Sequence, residues 1–253
     1  MTCQDNYYRS HLSNLGGDEF LLVMDFTTFD RSYRLSPTQE ENRCQFNAMH
    51  VVLHFRSEGV LKQTSFNYFG DMKNDYLFVR RSLLDCFKHC NDITARKTGM
   101  IFSDGGPKHY KIRRTIFFVT VELKLRFQLR SLHFVFFASY HGKGPCDGLA
   151  GVAKRKLRAA ACEGEVIAGC EGLSQFFADN IKGCARAVAL GAAQSDQFDV
   201  SKIKDVRKYH EFWSDEGNQQ STSFAINCRE RAGEGPATII RMTAAYSLTM
   251  ELN

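Results

Sequence analysis

The sequence predicts an α/β fold, a mixed sheet flanked by helices. Short apolar runs bounded by polar turns read as strands, and two or three longer stretches carry apolar residues at helical spacing. These segments alternate as three strands, a helix, a strand, a helix, a strand and a helix. Crossover helices of that kind make successive strands parallel and bring their carboxyl ends to one sheet edge, where sites form.

Residues 20–26 (Phe-Leu-Leu-Val-Met-Asp-Phe) form a short apolar run ending in a polar residue, the pattern of a buried strand. Residues 27–44 are polar and read as a loop. Residues 45–56 and 60–69 read as two strands turning at Glu58-Gly59. Asn74 or Asp75 suits a helix N-cap, and Leu77, Val79, Leu83, Leu84 and Phe87 recur at helical spacing up to about Cys90. Residues 100–102 are a fourth strand. In the next segment Ile112, Ile116, Val119, Leu123 and Phe127 fit one helix face, while residues 119–127 also alternate as a strand would. The helix is preferred, because a strand there would follow the Asp104 turn with a hairpin and not a crossover.

Residues 132–140 are a buried strand rich in aromatic and β-branched residues. A helix starts at Cys146 or Asp147 and runs to about Ala161, with Leu149, Val152, Ala153 and Leu157 inward. Residues 159–193 are rich in Ala, Gly and Cys, which suits close helix packing. Short strands near 223–228 and 237–242 give a small C-terminal β element, so residues 1–195 are expected to form the core and 196–253 an extension.

The composition, 43% hydrophobic and 24% charged over 253 residues, is that of a folded globular chain. No run of about 18 apolar residues occurs, so no membrane span is expected. The N-terminus lacks the regions of a secretory signal. The nine cysteines show no Cys-x-x-Cys pair, which suits reduced thiols in an intracellular protein. Net charge is +5, yet residues 96–158 hold fourteen basic side chains against three acidic ones. A basic middle suits a polyanion, because each neutralised phosphate releases counterions.

Within that basic field lie two aspartates in Gly-rich turns, Asp104 in Ser103-Asp104-Gly105 and Asp147 in His141-Gly-Lys-Gly-Pro-Cys-Asp147-Gly148. A third, Asp25, follows the first apolar run. Carboxylates gathered at strand ends can hold hard divalent cations. Each also has an ordinary structural use: Asp25 and Asp104 as turn residues, Asp147 as a helix cap. The Gly-Lys of the third turn lacks the spacing of a Walker loop.

Order and motifs together make the chain over about residues 20–160 resemble the ribonuclease-H-like catalytic core of DDE/D transposases. The likeness rests on Met24-Asp25-Phe26, on Ser103-Asp104-Gly105 with Lys108 and Lys111 behind it, and on His141 to Gly148 followed by Lys154-Arg155. The resemblance implies a two-metal nuclease or strand-transfer site in which Asp25, Asp104 and Asp147 hold two Mg²⁺ or Mn²⁺ ions. Nucleic acid would then be contacted by Lys108, Lys111, Arg113, Arg114, His141, Lys143, Lys154, Arg155 and Arg158. DNA is the implied substrate, with other transposase subunits or a DNA-targeting partner as companions, and a nucleus as the expected compartment.

A later glutamate, Glu163 or Glu165, is an alternative third acid. Two other functions compete: a domesticated, non-catalytic nucleic-acid-binding protein that keeps the fold, and an α/β enzyme acting on a phosphorylated small molecule. Cys86, His89 and Cys90 share one helix face but supply only three zinc ligands, so core or surface thiols are the preferred reading. Trp213 is expected to pack in the core, with base stacking as the alternative.

Overall fold

A computed structural model describes residues 3–34, 45–105, 110–137, 144–191, 200–214 and 223–243. Helix α1 (Cys3–Ser13) precedes strand β1 (Glu19–Asp30) and the two-residue β2 (Ser32–Tyr33). Strands β3 (Gln45–Ser57) and β4 (Val60–Gly70) follow, then helices α2 (Tyr76–His89) and α3 (Asn91–Thr94) and strand β5 (Thr98–Ser103). Helix α4 is continuous through Arg113–Phe117, a π-helical Phe118–Leu123 and Lys124–Arg126. Then come β6 (Ser131–Phe136), α5 (Pro145–Cys162), β7 (Ile167–Ala168), α6 (Gly169–Asn180) and β8 (Cys184–Ala189). A 3-10 turn (Val206–Lys208) leads to β9 (Glu211–Ser214), β10 (Ser223–Arg229) and β11 (Thr238–Thr243). From β1 to α5, β2 and the short α3 apart, the expected alternation of strands and helices is the one observed; β7, α6, β8 and β9 were not expected.

Nine strands form one mixed sheet in the order β11-β10-β9-β6-β5-β1-β3-β4-β8. β1, β3 and β4 are an antiparallel meander, and β5 and β6 run parallel to β1. β9 to β11 continue the sheet beyond β6, through Phe134↔Phe212 and Val135↔Glu211. The C-terminal strands thus extend the same sheet that holds the core.

β1 is central and covered on both faces, which explains its unbroken apolar run. Phe20, Leu22 and Met24 join the cluster formed with Phe78, Val79, Leu83, Phe87, Ile116 and Phe118 of α2 and α4. Leu21 and Val23 face the other way, toward Leu15 and Cys146, with Tyr8 and Leu12 of α1 packed alongside. A third cluster seats Ala153, Leu157 and Ala160 of α5 and Phe176 and Phe177 of α6 on Phe29, Ala48 and Phe69.

Local signals explain most boundaries. Asp75 caps α2 as expected, its carboxylate accepting from the Leu77 and Phe78 amides at 3.0 and 3.3 Å. Glu58 and Gly59 turn between Ser57 and Val60 with positive φ at both, the geometry of a two-residue hairpin. Three expectations need correction. The polar stretch after residue 26 is not all loop: β1 runs to Asp30, because Thr27 and Thr28 continue the ladder against Ala48 and Asn47. Residues 35–44 lie outside the described residues. Strand β6 ends at Phe136, and residues 138–140 of the longer strand expected there are also outside them. On α5, Val152 points outward, 39% exposed, and Ala150 takes the buried position.

Candidate functional site

The parallel pairing of β1 with β5 ends at Met24↔Ser103. The next residues are Asp25 and Asp104, so the two acids follow directly on the last pair, where the two strands part. Beyond this point β1 continues with β3 alone, and its β5 side opens. The Tyr110 hydroxyl reports on both acids: burial pushes it well above its ordinary range, and the Asp25 and then the Asp104 carboxylate push it the same way. Tyr110 is fixed by stacking on Phe26, ring centroids 5.3 Å apart.

The third acid arrives on α5. Cys146, in the first turn of that helix, is buried against the β1–β3 ladder. Its thiol donates to the Val23 carbonyl at 3.3 Å and lies 3.6 Å from the His50 carbonyl. Burial raises the Cys146 thiol strongly, and Asp25 and Asp147 add to the rise. Asp25 and Asp147 therefore share Cys146 as a neighbour, just as Asp25 and Asp104 share Tyr110. Asp147 also has its structural use, one carboxylate oxygen accepting from the Gly144 amide at 3.0 Å to cap the helix. The Asp25 carboxylate accepts from the Phe26 amide at 2.8 Å.

Tyr110 thus feels Asp25 and Asp104, and Cys146 feels Asp25 and Asp147, but the three acids, all described, do not gather into one cluster. Among the described residues, no three His, Cys, Asp or Glu side chains form a group that could hold a metal ion. Two stretches flanking the acids, 106–109 and 138–143, are not among those residues. Glu163 and Glu165, the alternative third acids, follow α5 at its far end, sixteen and eighteen residues from Asp147, with Glu163 about 24 Å away along the helix axis.

The basic residues divide by setting. Lys108, His141 and Lys143 lie outside the described residues. Arg155 and Arg158 are exposed on α5, and Arg113 and Arg114 are half-buried at the start of α4. Lys111 does not fit the expected phosphate contact. It is buried, its ammonium donating to the Arg207 carbonyl at 2.7 Å over the Phe136 ring, and burial lowers it to about 8. Lys154 turns toward the sheet, its Nζ 3.4 Å from Thr27 Oγ1, two residues past Asp25 on the same face.

Sequence reading missed His50, the ladder partner of Asp25. His50 lies between Phe29 and Phe177, and its Nδ1 meets Asn67 Oδ1 at 2.7 Å. The Asn67 amide nitrogen donates to Ser65, so its oxygen accepts and the proton sits on His50 Nδ1. Burial lowers His50 to about 4, opposed by the Asn67 bond; Lys154 lowers it further and Asp147 raises it. Its Nε2 finds no hydrogen-bond partner among the described residues. A histidine inside the apolar run Phe46–Phe55 was the available signal.

Two further expectations resolve here. Cys86 and Cys90 are buried free thiols, and His89 Nδ1 bonds to Asp85, so that helix face is packing. Trp213 is enclosed between His133, stacked at 5.3 Å, and the Arg229 guanidinium at 4.7 Å. No helix among the described residues is long and apolar enough to cross a membrane.

A family model described as a domain of unknown function, DUF8701, matches residues 4–222. The chain belongs to the DUF8701 family. The match takes in α1 and every strand and helix from β1 to β9, so the DUF8701 domain reaches the start of the C-terminal strands. No curated protein and no solved structure matches the chain.

Proposed function

We propose that this domain performs metal-dependent phosphodiester cleavage or strand transfer on DNA, as a transposase-like nuclease core. What supports this reading is the placement of Asp25 and Asp104 directly after the last pair of the β1–β5 ladder, with Asp147 in the first turn of α5 and influencing, like Asp25, the buried Cys146. Carboxylate oxygens suit Mg²⁺ or Mn²⁺, hard cations that take oxygen donors. A bound pair of such ions would supply activation of the attacking oxygen and stabilisation of the leaving one.

The chain's own residues would do the rest. Asp25 would anchor the site from β1, at the point where that strand loses its β5 neighbour. Asp147 presents its carboxylate from a helix start pinned to β1 by Cys146. Arg155 and Arg158 on α5, and Arg113 and Arg114 on α4, would meet phosphates, with charge serving affinity and not sequence choice. DNA, companion subunits and a nuclear location follow from the same reading.

Metal-dependent nicking of supercoiled plasmid by wild type and Asp104→Asn is the test. Activity in wild type, lost in the variant while DNA affinity stays, supports the proposal. Equal nicking by both proteins, or none with any divalent ion, removes it. DNA binding without nicking would select the non-catalytic binding protein, and neither would leave the phosphorylated small molecule as the reading to pursue.

A further inference from the structure

Helix α1 lies on the sheet face that also carries α5, and two side chains tie it down. The Tyr7 hydroxyl donates to Glu211 Oε1 at 3.1 Å, and the Tyr8 hydroxyl sits 3.4 Å from His54 Nε2. Arg56 of β3 holds the segment after the helix by donating to the Ser13 and Leu15 carbonyls. The turn after β10 is shaped to receive Tyr7: a Cβ on Gly233 would stand 2.2 Å from the Tyr7 ring, and its φ is +72°. Tyr8 packs edge-on against Phe102 and Phe137, at 5.3 and 5.7 Å. Phe102 lies two residues before Asp104, and Phe137 directly follows β6, so α1 braces the ends of β5 and β6.

Beside α1 lies a small pocket of about 70 Å³, lined among others by His11, Glu19, Thr98, Met100 and His133. We propose that α1 is a strap released by protons: acidification detaches it from the sheet and loosens the end of β6 that it braces. The inference stands on this geometry and holds whether or not the domain cuts DNA.

Charge at the two histidines sets the direction. His54 is faced by Tyr8 from α1 and by its ladder neighbours Leu21 and Gln63, none a carboxylate, and burial lowers it to about 4. His11 is lowered by burial too; Glu19 of β1 and Glu211 of β9 oppose that, and His133 of β6 adds to it. A folded-state value below the ordinary 6.5 means the detached state binds more protons. Docking is therefore at full strength above about pH 6.5 and weakens as pH falls toward 4. His54 alone favours release by roughly 30-fold at pH 5 relative to neutral pH.

Amide exchange followed by NMR at pH 7.5 and pH 5, corrected for the chemical exchange rate, tests the strap. Residues 5–12 and the Phe137 amide, which donates to the Ser103 carbonyl, should lose protection at least tenfold while β1 and β3 keep theirs. His54→Gln, or His54→Asn if the first does not fold, should flatten that response. Unchanged protection in α1 or at Phe137, simultaneous loss across β1 and β3, or a variant matching wild type would overturn the proposal.

Discussion

Glu211, beneath α1, and Asp104, at the end of β5, are acids in opposite settings. Glu211 has no exposed side-chain surface. It accepts from Tyr7, His133, Arg229 and the Gly233 amide, which come from α1, β6, β10 and the following turn. Burial works to raise its carboxyl, yet the His133 bond, the Gly233 amide and the charges of His133 and Arg229 hold it below the usual range. Asp104 is exposed, beside Asp25, at an edge where two strands part. Proteins bury a carboxylate only when donors surround it. An acid placed instead at an open sheet edge with a second acid beside it raises local repulsion, which a bound cation would relieve.

The largest effect that could break this contrast is at Glu211. Glu211→Ala leaves Arg229, His133 and Tyr7 without their shared acceptor and should cost about 3–5 kcal/mol, read from urea unfolding. A loss under 1 kcal/mol would show that the four bonds do not act as a hub. Asp104→Asn should behave in reverse: stability within about 0.5 kcal/mol of wild type, but plasmid nicking down by at least about 100-fold, equivalent to ~2.7 kcal/mol of barrier. A destabilised Asp104→Asn protein would place this acid with Glu211 and erase the distinction.

Gly99 sharpens the comparison by asking how tightly the strands beneath α1 are packed. A Cβ there would stand 2.1 Å from the Phe20 ring, with no room for the fully buried ring to retreat. Gly99→Ala should therefore cost about 1–3 kcal/mol in thermal or urea unfolding. The smallest effect belongs to Asp75, an acid of a third kind that neither sits buried nor gathers with other acids. Asp75→Ala removes the two N-cap bonds of α2 and should cost about 1 kcal/mol, with nicking unaltered. Circular dichroism melts and the plasmid assay separate the two readouts.

How much was legible in the sequence follows from what each element depends on. Strands β3 and β4 and helix α2 were readable because alternation, a turn dipeptide and an N-cap are local signals. The end of β1 was not: Thr27 to Asp30 look like loop, and only pairing with β3 makes them strand. Residues 159–193 gave composition without period, so α6 and the parallel edge strand β8 stayed hidden. In the site, the acids stood out through their Gly-rich turns and their place after apolar runs. Lys111 was misjudged because its basic neighbours suggested a surface, whereas the segment 200–208 folds over it and supplies the carbonyl. Cys146 and His50 left little trace, because what marks them is contact across 96 positions of chain.

The wide turn inside α4 carries a consequence for how this domain tolerates change in length. At Phe118–Leu123 the helix bonds reach one residue further than usual, and the Thr120 carbonyl accepts from Ser214 Oγ at 2.5 Å. Lys124, just beyond, donates to the Ser214 carbonyl at 2.8 Å. Deleting a single residue here would let the segment close into an ordinary α-helix while the turns on either side keep their phase. Lys124 would stay over β9, and the Thr120 carbonyl, drawn back into the helix ladder, would give up Ser214. The extra residue is thus slack held inside one helix, and a shortened version of α4 would keep its core face while losing one of its two ties to β9.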